Sequence, residues 1–291
     1  MLIDPCELSP SYVRSIAPYQ PGKPISELAR EMGLDEAGIV KLASNENPRG
    51  IGPRTRAAIE AAIGGVARYP DGNGFELKQA IAARYGVDPS SIVLGNGSND
   101  VLELVALAFL GPGRAAVLSE HAFAVYPLAT QARGARAIVV PAKNYGHDLE
   151  TMAKAIDDET YVAWIANPNN PTGTLARADE VQAFLRRVPE RVIVVLDEAY
   201  NEYLTPELRA DSTKWIRRHP NLVITRTFSK AYGLAGLRVG KAAEIYKRLL
   251  RRSVIVRPVG GYGLPEHLRV TIGTPQENDK FLAALAASLK E

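Results

Sequence analysis

Six short apolar runs between residues 92 and 225 constrain the fold of this chain more than any other feature. None of these runs alternates between apolar and polar residues, as expected of strands that are covered on both faces. Segments with a helical pattern separate them, and strands that alternate with helices form a mostly parallel sheet between layers of helices. We therefore predict an α/β fold with strands at residues 92–94, 115–118, 137–140, 162–166, 192–196 and 222–225.

The pattern changes after residue 240. Segments typical of a helix, two strands and a second helix follow at residues 242–252, 254–256, 268–272 and 275–289. This order is typical of a smaller α+β unit. The first residues are polar and interrupted by prolines, which favour extended structure. We expect an N-terminal arm at 1–35, a large domain at 36–240 and a small C-terminal domain at 241–291.

Composition and charge restrict the kinds of partner. The 291 residues are 46% hydrophobic and 23% charged, as in ordinary globular proteins. A formal net charge of +3, with scattered basic residues, argues against a nucleic-acid surface but allows a small anionic ligand. No apolar run is long enough to cross a bilayer, and the first residues lack the pattern of a secretory signal. We therefore expect a cytoplasmic protein.

Cysteine and histidine are too few and too scattered to indicate a metal site. Cys6 is the single cysteine, and the histidines are His121, His147, His219 and His267. No pair of them has the spacing of a helical zinc site or of a Cys/His cluster. We expect no metal.

A glycine-rich turn, Gly95-Asn-Gly-Ser-Asn-Asp100, follows the first predicted strand and opens a helix. The backbone amides of Gly97, Ser98 and Asn99 are therefore placed to bind a phosphate at a helix N-terminus. Asp100 occupies the place of the third glycine of the dinucleotide-binding pattern, which favours a single phosphate over a dinucleotide. A capped loop without a ligand is the alternative.

Two charged residues follow the last two predicted strands. Asp197 ends a buried run, where a carboxylate is costly unless a donor or cation pairs with it. Lys230 lies among small and apolar residues, which favour the neutral amine that covalent chemistry requires. Nearby Thr227, Ser229 and Arg238 are suited to binding a phosphate. The alternative for Lys230 is an ordinary surface lysine.

The segment around Lys230, Ser229-Lys-Ala-Tyr-Gly-Leu-Ala-Gly-Leu-Arg238, resembles the lysine motif of fold-type-I pyridoxal-phosphate aminotransferases. The chain is most similar to the histidinol-phosphate aminotransferase family, from residues 18–22 to residues 268–274. The resemblance implies a homodimeric enzyme that exchanges an amino group between histidinol phosphate and the glutamate/2-oxoglutarate pair. Its cofactor would be pyridoxal phosphate.

The resemblance also implies roles for single residues. Lys230 would anchor the cofactor and carry a proton, and Asp197 would pair with the pyridine nitrogen. Asn170 and Tyr200 would contact the 3-hydroxyl, and Phe123 would stack on the ring. Phosphate contacts would come from Gly97, Ser98, Asn99, Thr227, Ser229 and Arg238, and from Tyr69 of the other subunit.

Four further residues are assigned to the substrates by the same resemblance. Tyr19 lies in the arm and Asn45 in a turn, Asn45-Glu-Asn-Pro48, which lines the active site in the family. Arg269 would bind the substrate α-carboxylate, a role suited to a guanidinium group. Arg257 would contact the phosphate of histidinol phosphate. Solvated charges at strand ends are the alternative for both arginines.

The sequence departs from the family pattern between Gly240 and Lys241, where several tens of residues are missing. One peptide spans about 3.8 Å, whereas a helix of about 20 residues spans about 30 Å. We favour a segment that the molecule has and the printed sequence omits. A folded but catalytically silent relative is the alternative. An aromatic amino-acid aminotransferase or a related pyridoxal-phosphate lyase also remains open, because these enzymes share the motif loops.

Overall fold

The computed structural model describes residues 4–17, 22–65, 67–237, 254–255, 257–259 and 264–288. The chain forms two compact units, the first from residues 1–16 and 51–228 and the second from residues 17–50 and 229–291. The boundary expected at residue 35 thus falls inside the second unit. Within the described ranges, no helix combines the length and the apolar character needed to cross a membrane.

Strands and helices are numbered in chain order within the described residues. The strands are β1 Val40–Lys41, β2 Ala115–Ser119, β3 Arg136–Val140, β4 Thr160–Ala166, β5 Ile193–Asp197, β6 Leu222–Thr225, β7 Val254–Ile255, β8 Arg257–Val259 and β9 Leu264–Arg269. The helices are α1 Ser11–Arg14, α2 Ile25–Met32, α3 Pro53–Ala62, α4 Phe75–Tyr85, α5 Ser98–Phe109, α6 Val125–Ala132, α7 Leu149–Lys154, α8 Ala178–Arg187 and α9 Pro275–Ser288.

A five-stranded parallel sheet in the order β3-β2-β4-β5-β6 forms the centre of the first unit. It confirms the predicted α/β fold and five of the six predicted strands. The strand predicted at residues 92–94 is wrong, because this run is irregular and no described strand pairs with it. Val93 is 68% exposed, so the run lacks the cover on both faces that its composition suggested.

Apolar side chains cover both faces of this sheet. On one face Val117, Ile165 and Leu196 pack with Met152 of α7 and Phe184 of α8. The opposite face is covered by α5 and α6, through side chains that include Leu102, Val105, Tyr126 and Ala129. Successive strand residues point to opposite faces, so two buried faces explain why the strands read as continuous apolar runs.

The second unit contains two short ladders. β1 pairs with β7 in parallel, with Val40 opposite Val254, and β8 pairs with β9 in an antiparallel ladder. The strand predicted at 268–272 is partly wrong, since β9 ends at Arg269. Beyond it, Thr271 donates its backbone N–H to the Leu42 carbonyl at 3.2 Å, which directs the chain towards β1. The helix predicted at 242–252 lies outside the described residues.

A buried ion pair joins two neighbouring strand ends in the first unit. Glu198, which is 3% exposed, follows β5, and Arg226 follows β6. The Arg226 Nε and Nη2 atoms donate to Glu198 Oε2 at 3.0 and 2.7 Å. The guanidinium also lies 4.8 Å from the ring centroid of Tyr85 in α4. Burial raises the pKa of Glu198, although the charge of Arg226 opposes this shift.

Replacing Arg226 by alanine is expected to destabilise the protein by about 3 kcal/mol, because it leaves the Glu198 carboxylate buried without its cation. Urea unfolding followed by circular dichroism measures the loss. Arg177→Ala is the matched control, since Arg177 pairs with Asp179 on the exposed surface and should cost much less. Equal losses in the two variants would contradict a special role for the buried pair.

Candidate active site

The carboxylate of Asp197 is buried at the carboxyl edge of the sheet. Asp197 ends β5, is 5% exposed and lies opposite Thr225 of β6 in the parallel ladder. The Thr225 hydroxyl donates to Oδ1 at 2.8 Å, and the Tyr126 hydroxyl donates to Oδ2 at 2.9 Å. The Ala199 backbone N–H donates to Oδ1 at 3.2 Å. Each carboxylate oxygen therefore accepts at least one hydrogen bond from a neutral donor.

Tyr126 is fully buried near the start of α6. Its ring stacks on Trp164 with centroids 5.3 Å apart and an interplanar angle of 2°, and it meets Phe123 edge-on at 5.7 Å. Burial, and secondly the charge of Asp197, raise the pKa of the Tyr126 phenol well above its ordinary value. The phenol therefore keeps its proton and acts as a donor. Sequence reasoning selected Phe123 and missed Tyr126, although the two are only three positions apart.

The loop after β4 carries Asn170, which is 8% exposed. Its neighbour Asn169 holds the loop in place by donating from Nδ2 to the His121 carbonyl at 2.9 Å and to Thr172 Oγ1 at 2.8 Å. Asn169 Oδ1 is buried and has no hydrogen-bond partner among the described residues. The sequence pointed to Asn170 but gave no signal that Asn169 joins this loop to the loop after β2.

The predicted phosphate-binding turn lies at the N-terminus of α5. Gly97 precedes the helix with φ of 87°, a backbone angle that favours glycine. Ser98 is 8% exposed, whereas Asn99 is exposed. Asp100 Oδ2 accepts a hydrogen bond from the Asn96 backbone N–H at 3.0 Å. The aspartate thus stabilises the turn in which a dinucleotide-binding motif would have its third glycine.

In the second unit, Lys230 lies in a turn that packs against the segment after β1. Lys230 is partly buried, and its carbonyl accepts from the Gly233 N–H at 3.0 Å. Asn47 Nδ2 donates to the Ala231 carbonyl at 2.9 Å. Asn45 Oδ1 accepts from the Thr271 hydroxyl at 2.8 Å. This unit therefore brings the Lys230 turn, the turn at residues 45–48 and the end of β9 together.

The structure describes most, but not all, of the remaining predicted site residues. Arg257 and Arg269 are directly opposite one another in the β8–β9 ladder. Tyr69 is fully exposed in the first unit. Thr227 and Ser229 are buried on either side of Phe228, and Tyr200 is partly buried three residues after Asp197. Tyr19 and Arg238 lie outside the described residues.

His147 lies close to the carboxyl end of β4. Its Nε2 atom is 2.9 Å from the Ala166 carbonyl and therefore donates, while Nδ1 is buried without a partner in the described part of the chain. Burial lowers the pKa of His147 from 6.5 to about 4. Across the same described ranges, no group of three or more His, Cys, Asp or Glu side chains is arranged to hold a metal ion.

His147 is expected to make stability depend on pH between its unfolded pKa of 6.5 and its folded pKa of about 4. Below pH 6.5 the unfolded chain binds a proton at this residue that the folded chain excludes, so stability falls as the pH is lowered. The loss should be about 3 kcal/mol by pH 4.

The measurement compares urea unfolding of the protein and of His147→Gln at several pH values. Glutamine can still donate to the Ala166 carbonyl but does not titrate. The difference in unfolding free energy between the two proteins should therefore change over this window. A constant difference would show that His147 does not contribute to the pH dependence.

The sequence of this chain is similar to the sequences of known aminotransferases. The profile of the family described as aminotransferase class I and II matches residues 37–243. Histidinol-phosphate aminotransferase 2 of Nitrosospira multiformis is 49% identical, over 98% of this chain and 93% of its own length. That alignment extends over 363 positions, more than the 291 residues of this chain, so the relative has residues that this chain lacks. Histidinol-phosphate aminotransferase 1 of Dechloromonas aromatica is also 49% identical, over 96% of this chain and 98% of its own length.

Solved structures of aminotransferases are also similar to this chain. Histidinol-phosphate aminotransferase from Sinorhizobium meliloti, in complex with pyridoxal-5'-phosphate, is similar with a TM-score of 0.71 and 31% identity. The match covers 78% of this chain but only 60% of that chain. A single mutant of Thermus thermophilus aspartate aminotransferase has a TM-score of 0.78 over 96% of this chain and 99% of its own length. At 17% identity, this second likeness concerns the fold alone.

Proposed function

The chain belongs to the histidinol-phosphate aminotransferases within aminotransferase class I and II, and from this we propose that it transfers the amino group of histidinol phosphate to 2-oxoglutarate. Pyridoxal phosphate is the cofactor, and the reaction belongs to histidine biosynthesis. The observation that carries the proposal is the Asp197 carboxylate, buried at the carboxyl edge of a parallel sheet, where ligands bind in open α/β folds.

The chemistry of the Asp197 site fits this cofactor. Hydroxyl donors on both oxygens stabilise the Asp197 carboxylate in its ionised form, and an ionised carboxylate attracts a positive charge. The protonated ring nitrogen of pyridoxal phosphate supplies such a charge. When bound, the cofactor supplies an electron sink and a carbon that accepts the amino group.

The residues of the chain divide the remaining tasks. Asp197 holds a proton on the ring nitrogen, and Lys230 anchors the cofactor and moves the proton from the substrate Cα. Asn170 and Tyr200 orient the 3-hydroxyl, while Phe123 covers the ring. The phosphate would be bound by the amides of Gly97, Ser98 and Asn99 and by the side chains of Thr227, Ser229 and Arg238.

Substrate binding is assigned to the second unit. The pairing of Arg257 with Arg269 in the register of the β8–β9 ladder supports a shared role for these two positions. We assign Arg269 to the α-carboxylate of glutamate or 2-oxoglutarate and Arg257 to the phosphate of histidinol phosphate. Asn45, held by Thr271 at the end of the same ladder, and Tyr19 complete the substrate contacts.

A homodimer in the cytoplasm is the assembly that we propose. Large apolar side chains are exposed on α4, on α5 and in the segments that precede these two helices, although such residues are usually buried. A second copy of the chain would cover them and would place Tyr69 at the other subunit's phosphate. These exposed residues are Ile63, Tyr69, Phe75, Leu77, Val93, Leu104 and Leu107.

Borohydride reduction of the protein with bound pyridoxal phosphate is expected to fix the cofactor covalently on Lys230. Peptide mapping by mass spectrometry then locates the modified residue. Lys230→Ala, treated in the same way, is the control and should retain no covalent label. A label on another lysine, or no label on the unmutated protein, would refute the assignment of the anchor.

Arg257→Ala is expected to raise the KM for histidinol phosphate by about tenfold or more, because a charge-assisted phosphate contact is lost. The KM for glutamate should change much less, since glutamate has no phosphate. Arg257→Lys should recover part of the difference, because a lysine keeps the charge but not the fork geometry. Equal effects on both substrates would favour an aromatic amino-acid aminotransferase, and a panel of amino donors would identify it.

The junction between Gly240 and Lys241 leads to a prediction about the mass of the chain. The family match ends at residue 243, and the alignment with the Nitrosospira enzyme is longer than this chain, which supports a missing segment near this point. Intact-protein mass spectrometry is expected to give a mass several kDa above 31.5 kDa. A mass of 31.5 kDa would defeat this expectation and make the catalytically silent relative the leading hypothesis.

A further inference from the structure

The hydroxyl of Tyr126 is the feature of the first unit that packing does not explain. The ring is held on its face by Trp164 and on its edge by Phe123, and it is fully buried. A phenylalanine would make the same ring contacts without burying a polar group. The hydroxyl instead donates to Asp197 Oδ2 at 2.9 Å, so its contribution is specific to that carboxylate.

The position of Tyr126 is fixed independently of Asp197. Thr130, one turn further along α6, donates from Oγ1 to the Tyr126 carbonyl at 2.8 Å and accepts from Trp164 Nε1 at 3.2 Å. The helix, the stacked rings and this bridge from β4 orient the phenol before any ligand binds. A donor that is fixed in this way can orient a carboxylate as well as stabilise its charge.

We propose that Tyr126 is a positioning residue for transamination, which acts by holding the Asp197 carboxylate ionised and aligned for the ring nitrogen of the cofactor. This inference rests on the proposed function. Thr225 holds Oδ1 and Tyr126 holds Oδ2, so each oxygen has its own hydroxyl donor. Hydrogen bonds to the charged form of a carboxylate favour that form, so the proton stays on the ring nitrogen.

A binding experiment separates this role from a packing role. The apo forms of the protein and of Tyr126→Phe are titrated with pyridoxal phosphate and with its analogue in which carbon replaces the ring nitrogen. We expect Tyr126→Phe to bind pyridoxal phosphate about tenfold more weakly, since one hydrogen bond to a charged group is lost, and to bind the carbon analogue with unchanged affinity. Thr225→Val, which removes the donor to the other oxygen, should show the same selectivity.

A control variant tests whether the loss of any tyrosine hydroxyl weakens cofactor binding. Tyr161→Phe removes the hydroxyl of a partly buried tyrosine in β4 that packs under Arg114, outside the site, and should change neither affinity. Equal weakening of both ligands by Tyr126→Phe would assign Tyr126 to packing and overturn the proposal, as would no change with either ligand. If the unmutated protein bound no pyridoxal phosphate, the proposed function itself would fail, and the inference with it.

Kinetics give a second, independent test. Tyr126→Phe is expected to lower kcat about tenfold with little change in the KM for histidinol phosphate, because the hydrogen bond supports chemistry and not substrate binding. In the Asp197→Ala background the same substitution should have no further effect, since its target is gone. Losses that multiply in the double variant would show that Tyr126 acts independently of Asp197 and would overturn the proposal.

Discussion

The buried carboxylate of Asp197 is the constraint on which the arrangement of the first unit depends. An anion that is almost completely removed from water is costly unless donors and a counter-charge surround it. The β5–β6 register supplies Thr225, and the start of α6 supplies Tyr126. Because the carboxylate and its two donors come from three elements, β5, β6 and α6, the sheet register and the placement of α6 have to be correct together for these hydrogen bonds to form.

The two buried faces of the sheet explain where polar chemistry can occur. Side chains within β2, β4 and β5 are almost entirely apolar because helices cover both faces. Charged groups are therefore confined to the ends of the strands, where Asp197, Glu198 and Arg226 occur. Neighbouring residues 197 and 198 meet different groups, since Glu198 pairs with Arg226, whereas the Asp197 oxygens accept hydrogen bonds from the Thr225 and Tyr126 hydroxyls.

Sequence reasoning selected individual candidate residues but not the contacts among them. Asp197 stands out because it ends a buried run, and strand ends meet at one edge of a parallel sheet, whereas Asn170 and Phe123 were selected through the family resemblance. The roles of Tyr126 and Asn169 depend on strand register and on loops that meet only in the folded chain, which no local pattern encodes. The prediction of a strand at 92–94 was wrong because strand pairing also depends on the folded chain. Its apolar residues are typical of a strand, but no described strand lies beside it.

In the second unit, residues before and after position 240 contact the same N-terminal segment. Ala231 is held by Asn47, and Val254 is paired with Val40. Residues 40 and 47 are seven positions apart and can be separated by no more than about 25 Å, so the two held points on either side of the junction remain near each other. A longer connection there has to leave and return over a short distance. A longer connection would add residues without moving Ala231 or Val254, because the N-terminal segment holds both of these residues.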